Sequence, residues 1–221
     1  LFIYIMALNK LINEVKLSET YFWDNFDTFH FENIVNSIIK FKNNNIMFCG
    51  VGKSSNIAKH TSDMLKSIGY SSHNLEALNL LHGDFGMIKN NDLIILYSKS
   101  GNTKELIDIC PYIKKKKCLI IGIFCNKSAE LIKFCNEYLI LPNFKELDNN
   151  FNLIPTTSFL YFTLFNNLLI SYLVKKNNLT LEDYGKNHPA GSIGKKINLK
   201  INDIMHNYKE TSILDVNDNI F

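Results

Sequence analysis

The sequence lacks a strong excess of charge of either sign. Its 24 basic and 21 acidic residues leave a net charge of +3 on a chain of 221 residues. A protein that binds nucleic acid normally concentrates positive charge on one face, so we expect no nucleic-acid partner. The densest basic run, residues 114–117, directly precedes an apolar stretch. We interpret that run as the solvated C-terminal end of a helix.

Cysteine pairs at metal-binding or redox spacing are also missing. The five cysteines form no Cys-x-x-Cys motif, and four of them fall inside apolar segments. This pattern favours buried thiols in a reducing compartment over a disulfide framework or a zinc finger. The sequence therefore predicts a cytoplasmic protein.

A run of membrane-spanning character is the third absence. The opening apolar run, residues 1–8, has no charged flank before it and no small-residue cleavage site, so we expect neither a spanning helix nor a signal peptide there. The longer segment 157–176 is rich in Leu and Phe but carries Asn166 and Asn167 at its centre. We predict that this segment is a mostly buried helix that covers a sheet, and that the protein has no membrane partner.

Short apolar runs alternate with longer amphipathic segments from residue 46 onward, which is typical of βα units. Strands are predicted at residues 46–49, 71–75, 93–97, 119–124 and 138–141. Connecting helices are predicted at residues 54–68, 103–116 and 129–135. The predicted fold class is therefore α/β, a three-layer α/β/α sandwich with a five-stranded parallel, doubly wound sheet.

Three regions are predicted along the chain. Residues 1–43 form a helical segment, in which aromatic residues near positions 23–31 separate two helices. Residues 44–197 form the α/β domain, and residues 198–221 form a polar tail that is too short to make a domain alone.

Two loops that follow predicted strands carry groups suited to a phosphate. They are residues 50–54 (Gly-Val-Gly-Lys-Ser) and residues 98–103 (Ser-Lys-Ser-Gly-Asn-Thr). Glycine lets backbone N–H groups approach an anion, hydroxyl groups donate further hydrogen bonds, and ligands of open parallel sheets bind beyond the carboxyl ends of the strands. The alternative is that these residues only cap helices. The candidate phosphate-binding residues are Gly52, Ser54, Ser98, Ser100 and Thr103.

The known nucleotide patterns do not fit the first of these loops. A nucleotide P-loop needs a glycine five places before Gly52, where Met47 stands. A dinucleotide fingerprint needs a third glycine where Ser55 stands. We therefore expect a smaller phosphorylated ligand and no cofactor.

Five short segments carry a family resemblance. In chain order they are residues 50–54, 82–87 (His-Gly-Asp-Phe-Gly-Met), 98–105 (Ser-Lys-Ser-Gly-Asn-Thr-Lys-Glu), 155–158 (Pro-Thr-Thr-Ser) and 188–194 (His-Pro-Ala-Gly-Ser-Ile-Gly). Together they resemble the sugar isomerase (SIS) domain of the arabinose 5-phosphate isomerases. The resemblance extends over about residues 45–206.

This resemblance implies a reversible aldose–ketose conversion between D-ribulose 5-phosphate and D-arabinose 5-phosphate. That reaction supplies the lipopolysaccharide sugar Kdo and requires no redox cofactor. The resemblance also implies a homo-oligomer, a dimer or tetramer with active sites between subunits. It places the substrate phosphate on Ser98, Ser100 and Thr103. It places the catalytic positions on Lys53, Glu105, Glu146 and His188.

These four residues suit proton transfer between C1 and C2 through an enediol or enediolate. A carboxylate can carry the proton while a cation stabilises the developing oxyanion. We expect Glu146 or Glu105 to be the base and Lys53 the electrostatic partner. We expect His188 to act as an acid and base at the substrate oxygens. Because residues 145–150 form a longer segment than in the family, Asp148 is a reserve candidate for Glu146.

Three further features bear on the comparison with the family: His82, Asn79 and the tail. His82 lies in a segment where the family histidine is associated with metal binding, but it has no second ligand at suitable spacing, so we expect that no metal is required. Asn79 stands where the family usually has a glutamate. In the tail, residues 201–206 and 212–216 resemble the entry to a CBS regulatory module, so either the regulatory part is truncated or this class does without it.

Two other functions remain open from the sequence. One is an isomerase for a different sugar phosphate, since the phosphate loops are common to the wider SIS group. The other is a non-catalytic sugar-phosphate sensor, which would keep the serine loop and tolerate loss of the carboxylates and the histidine. Retention of all four catalytic residues favours an enzyme.

Overall fold

Two units follow one another along the chain in the computed structural model, which describes residues 2–148, 151–206 and 217. Residues 1–179 form the first unit and residues 180–221 the second. The predicted region boundaries at 43/44 and 197/198 stay predictions. Of the two CBS-like segments, residues 212–216 lie outside the described residues.

The first unit is built on a five-stranded parallel sheet. Its strands are β1 (Ile46–Gly50), β2 (Ser72–Glu76), β3 (Leu93–Ser98), β4 (Leu119–Phe124) and β5 (Glu137–Ile140). They lie in the order β2-β1-β3-β4-β5. Each predicted strand is present with its ends within two residues of the prediction, and the doubly wound α/β fold class is confirmed.

The helices of the first unit cover both faces of this sheet. They are α1 (Phe2–Asp24), α2 (Thr28–Lys40), α3 (Lys53–Ser67), α4 (Ala77–Leu80), α5 (Lys104–Lys115) and α6 (Thr157–Lys176). The two predicted N-terminal helices are confirmed as α1 and α2, and α5 ends within the basic run as predicted. The second unit contains α7 (Leu181–Lys186), α8 (Gly191–Asn198) and α9 (Ile201–Ile204).

The side chains of the central strands alternate between two hydrophobic clusters. In β1, Ile46 and Phe48 join the cluster that contains α2, α3 and α6, whereas Met47 and Cys49 join the cluster that contains α5. Successive side chains of a strand point to opposite faces, so a strand covered on both faces must be apolar at every position. This is the physical reason for the continuous apolar runs seen in the sequence.

One predicted helix is wrong in type. Residues 129–135 were expected to form an α-helix, but a 3-10 helix occupies Glu130–Phe134. The connection from β4 to β5 leaves room for little more than one helical turn, and short connectors commonly adopt the tighter 3-10 form. A second 3-10 helix at Asp84–Met87 and the short helices α4, α7, α8 and α9 were missed, because four to eight residues carry too little periodicity.

Within the described part of the chain, one helix is long and apolar enough to cross a membrane by length and composition. It is α6, and half of its most apolar window is buried inside the protein. Tyr161, Phe165 and Leu169 belong to the cluster that covers the sheet. The predicted helix over residues 157–176 is confirmed, and half of its most apolar window, rather than most of it, is buried.

Candidate functional site at the carboxyl edge of the sheet

The winding of the sheet reverses between β1 and β3. Their carboxyl ends lie side by side, since Gly50, the last residue of β1, pairs with Tyr97 of β3. Ser98, the last residue of β3, pairs in turn with Phe124 of β4. The loop of residues 50–54 leads from β1 into α3, and the loop of residues 98–103, here called the serine loop, leads from β3 into α5. Both predicted phosphate loops therefore flank the switch point, where open parallel sheets bind ligands.

The serine loop is organised by its own hydroxyl groups. Ser98 Oγ and Thr103 Oγ1 lie 2.8 Å apart, and Ser98 Oγ accepts a hydrogen bond of 3.0 Å from the N–H of Gly101. Ser100 Oγ accepts a hydrogen bond of 3.1 Å from the N–H of Asn102. Ser98 is buried, whereas Ser100 is exposed and Thr103 is half-buried. The two accessible hydroxyls, on Ser100 and Thr103, are thus the ones open to a ligand.

Gly101 fixes the serine loop against its neighbour. Its φ of +66° favours glycine, and an added Cβ would lie 2.1 Å from the Cβ of Ala129. The carbonyl of Gly101 accepts a hydrogen bond from the N–H of Leu131, and the Asn102 side chain accepts one from the N–H of Glu130. These contacts hold the serine loop in place before any ligand binds, which lowers the entropy cost of ordering the loop on binding.

The loop after β1 is tight for a different reason. A Cβ on Gly50 would lie 2.6 Å from the backbone of Ser54, so only glycine allows the strand to pass so close to the first turn of α3. Gly52 precedes α3 with φ +61°, and Lys53 is the first residue of that helix. Lys53 is exposed and Ser54 is half-buried. This loop brings an exposed lysine and the N-terminus of α3 to the same edge of the sheet as the serine loop.

Lys99, for which the sequence predicted no role, joins Glu146 to the serine loop. Lys99 Nζ lies 2.6 Å from Glu146 Oε1, with the Lys99 side chain 35% exposed and the Glu146 side chain 0% exposed. Lys99 stands between the two serines of the motif, and that position was the only available signal. The predicted cation of the site was Lys53, and among the described contacts the cation on Glu146 is Lys99.

The start of α6 supplies the other partners of Glu146. Oε2 accepts hydrogen bonds from the N–H of Ser158, at 3.1 Å, and from the hydroxyl of Thr156, at 3.3 Å. The Ser158 hydroxyl donates to Oε1. Glu146 thereby satisfies a first-turn N–H group of α6, where a negative charge is favoured by the helix dipole.

These contacts determine the ionisation of Glu146. Burial raises the pKa of this carboxyl, but the hydrogen bonds from Lys99 and Ser158 together outweigh burial and hold the pKa below its ordinary value. Glu146 is therefore an ionised, fully bonded carboxylate in this structure.

Asp148, the reserve candidate, has a structural role. Its carboxylate accepts hydrogen bonds from the backbone N–H groups of Asn152, Leu153 and Ile154. Burial raises its pKa, but these three bonds outweigh that effect and lower the pKa. Asp148 closes the loop that leads into α6.

The other carboxylate, Glu105, is the second residue of α5, directly after the serine loop. It is half-buried. Its position in the first turn places its charge at the N-terminus of the helix.

His188 lies in the second unit, between α7 and α8. Its ring stacks on Tyr184 with 4.0 Å between ring centroids. Nδ1 lies 2.8 Å from the carbonyl oxygen of Tyr184. A carbonyl only accepts, so Nδ1 carries the hydrogen and Nε2 of the neutral ring holds the free lone pair. The contacts with Tyr184 thus fix the orientation of the ring.

His82 is exposed in the turn after α4, and its N–H donates to the carbonyl of Asn79. Across residues 2–148 and 151–206, no cluster of three His, Cys, Asp or Glu side chains is arranged to hold a metal ion. The expectation that no metal is required stays a prediction.

A cavity of about 470 Å³ lies elsewhere, on the outer side of α5. Its lining residues are Leu81, Ile107, Asp108, Pro111, Tyr112, Lys115 and Phe134. None of them belongs to the serine loop or to the loop after β1.

Two anion-suited loops at the switch point of a parallel sheet define a doubly wound α/β protein with a small-ligand site. Within this class, the chain belongs to the SIS domain family, whose model matches residues 40–170. The match covers more than half of the chain and confirms the family resemblance found in the sequence.

Known proteins with related sequences include an uncharacterized protein of Chlamydia muridarum, 38% identical over 160 residues, which are 72% of this chain and 48% of that protein. The arabinose 5-phosphate isomerase KdsD of Francisella tularensis is 34% identical over 175 residues, which are 79% of this chain and 53% of that protein. The chain thus spans about half the length of these relatives.

Among solved structures, an Escherichia coli CFT073 protein, c3406, in complex with arabinose 5-phosphate superposes with a TM-score of 0.75. It is 27% identical, and the match covers 84% of this chain and 97% of that protein. This structural likeness confirms the fold independently of the family match.

Proposed function

We propose that this protein is an aldose–ketose isomerase that interconverts D-ribulose 5-phosphate and D-arabinose 5-phosphate. The observation that carries the proposal is the ion pair between Lys99 of the serine loop and Glu146, which links a phosphate-binding loop to a buried carboxylate. The similarity to KdsD and to the protein bound to arabinose 5-phosphate supports this substrate class. In a cell this cytoplasmic reaction would supply the lipopolysaccharide sugar Kdo.

The proposed chemistry begins with the phosphate, which we place on the serine loop and the N-terminus of α3. There Ser100 and Thr103 would donate hydrogen bonds, with Gly52 and Ser54 beside them, while Ser98 holds the loop. A phosphate bound at its own loop leaves the carbonyl end of the sugar to the catalytic groups. Binding energy at the phosphate then positions the reacting carbons.

Proton transfer would run through a carboxylate and the His188 ring. The base removes the proton from C2 of the aldose, an enediolate forms, and the same group returns the proton to C1 to give the ketose. His188 would move the hydroxyl proton from O2 to O1 through Nε2. Glu105 or Glu146 is the base, and Lys53 would stabilise the enediolate oxygen.

A direct assay tests this function. Purified protein is given D-ribulose 5-phosphate, and formation of D-arabinose 5-phosphate is followed. Of Glu105→Gln and Glu146→Gln, the variant that removes the base should lower kcat by about 10²- to 10⁴-fold, as should His188→Ala, since this is the usual contribution of an acid–base group. Lys145→Met, at an exposed lysine that pairs with Glu14, is the control and should act as the parent does.

Three results of the assay would count against the proposal. Unchanged activity in both Glu146→Gln and His188→Ala would contradict the assigned site. Turnover of another sugar phosphate alone would retain an isomerase and change the substrate. Binding of arabinose 5-phosphate without conversion would indicate a sensor.

We also propose that the protein is a homo-oligomer, a dimer or tetramer. The supporting observation is the first half of α1, where Tyr4, Met6 and Leu8 are more than half exposed. Apolar side chains at such density favour burial against another chain. Light scattering coupled to size exclusion measures the mass, and a monomer at micromolar concentration would contradict this proposal.

A further inference from the structure

Lys99 has the position and the N–H donors needed to contact a phosphate bound at the serine loop. It lies between Ser98 and Ser100, and an ammonium group has three N–H donors. Its described polar contact through Nζ is the one with Glu146. The side chain is 35% exposed, so the remaining donors can reach a ligand at the loop.

The basic residues of this chain make that position important. All 24 basic residues are lysines, since the sequence contains no arginine. These 221 residues, and further copies of them, therefore offer no bidentate guanidinium clamp for the phosphate. The groups that they do offer to a phosphate dianion are hydroxyls, N–H groups and lysine.

Lys99 and Glu146 differ in their exposure and in their other hydrogen-bonding partners. Glu146 is enclosed and is also bonded by Ser158 and Thr156, whereas the ammonium is the accessible end of the pair. The backbone of Lys99 is fixed, because its carbonyl accepts a hydrogen bond of 3.0 Å from the N–H of Cys125. Only the flexible four-carbon stem of Lys99 is free to move.

The other ionisable groups near Glu146 do not compete for this charge. Burial raises the pKa of the Cys125 thiol to about 12, with smaller effects of Lys99 and Glu146. Burial also raises the pKa of Tyr161. Both groups are neutral at physiological pH, so Lys99 and Glu146 are the charged groups of this cluster.

We propose that Lys99 is a positioning residue shared by two anions. It pairs with Glu146 while the serine loop is empty and turns to the phosphate dianion when the loop is occupied, which releases Glu146 for proton transfer. The release of Glu146 for proton transfer rests on the proposed function. The competition between Glu146 and phosphate for Lys99 does not. Binding of phosphate and pairing with Glu146 then oppose each other, and the coupling is reciprocal.

The first test measures binding of inorganic phosphate by calorimetry and needs no turnover. Lys99→Met should raise the Kd about tenfold or more, the typical effect of losing a hydrogen bond to a charged group. Glu146→Gln should lower the Kd several-fold, because its competing charge is gone. Lys99→Arg should stay near the parent, and the matched control Lys145→Met, which removes an exposed lysine next to Glu146 in sequence, should stay within about twofold.

A parent-like Kd in Lys99→Met, or a Kd raised by both substitutions alike, would overturn the inference. If Lys99→Met does not fold because it leaves a buried carboxylate without a cation, the double variant Lys99→Met/Glu146→Gln removes that charge. It should fold and bind phosphate at least about tenfold more weakly than Glu146→Gln alone. Failure of the double variant to fold would assign Lys99 to stability and reject the proposal.

The second test uses the isomerase assay and separates binding from chemistry. Glu146→Gln should lower kcat while phosphate binds more tightly, and Lys99→Arg should retain most of the parent kcat. A purely structural role for the pair would lower binding and kcat together in both variants. If no isomerase activity is found in the parent protein, the calorimetric test still decides the competition, and only the proposed function fails.

Discussion

Glu146 and Asp148 lie two residues apart before α6, and both carboxylates are buried and have lowered pKa values. Their partners differ. Asp148 is bonded by backbone N–H groups of its own loop, at residues 152–154. Glu146 is bonded by side chains and an N–H from two other segments, the serine loop and the start of α6.

One short acidic segment thus contains two carboxylates with different roles. Backbone N–H groups cannot leave Asp148 without unfolding the loop, so this carboxylate is fixed. A lysine side chain can leave Glu146 by rotation about its own bonds, so this carboxylate can change state. Asp148 and Glu146 are both buried. They differ in whether their hydrogen-bonding partners can move.

The largest expected effect on stability is at Asp148. Asp148→Ala leaves three loop N–H groups without their charged acceptor, and we expect the Tm to fall by roughly 5–10 °C. Glu146→Gln keeps an acceptor for Ser158, so its Tm should fall by only about 2–3 °C. Differential scanning calorimetry measures both values, and equal losses would remove the contrast between the two acids.

The pH dependence is a smaller effect with a definite sign. Because the folded pKa of each acid is lowered, its stabilisation is complete above the unfolded pKa and is lost as the pH falls through the folded pKa. The unfolded values are about 3.9 for Asp and 4.3 for Glu. Denaturant unfolding at pH 7 and near pH 3 should show that the gap between parent and Asp148→Ala narrows at the lower pH.

The contrary result would be a gap of the same size at both pH values. It would mean that the loop bonds do not depend on the charge of Asp148. Glu130→Gln, which removes an exposed acid of a surface ion pair, is a suitable control for the change in net charge.

The smallest expected effect is that of Asn152→Gly, at a residue that contacts both acids. Its N–H donates to Asp148, its side chain accepts from the N–H of Glu146, and its φ is +54°. Asn152→Gly keeps the backbone conformation and loses one hydrogen bond, at a cost of about 0.5–1.5 kcal/mol. Asn152→Ala adds about 1–2 kcal/mol of left-handed backbone strain. Chemical denaturation compares the two, and equal stability of the variants would contradict this account.

Much of the fold could be predicted because its signals are local. The apolar runs of β1, β3 and β4 required strands covered on both faces, and α6 was recognisable from its length and composition. The 3-10 helix Glu130–Phe134 was mistaken for an α-helix, since apolar spacing over one turn does not separate the two forms.

The candidate site was predictable in part. The serine loop was predicted from its motif. Its internal hydrogen bonds are those of an ordered loop. The identity of the lysine beside Glu146 could not be predicted from spacing. Lys99 and Glu146 are 47 positions apart in the chain and meet only through the order of the strands.

The class of fold, the two loops beyond the strands and the absence of any arginine follow from the amino-acid sequence alone, because composition and periodicity are properties of the chain. Which cation lies on which carboxylate follows only from the folded arrangement of the segments. An ion pair depends on distances of a few ångströms between segments that the chain does not connect, and those distances follow from the strand order β2-β1-β3-β4-β5 and the packing of α6.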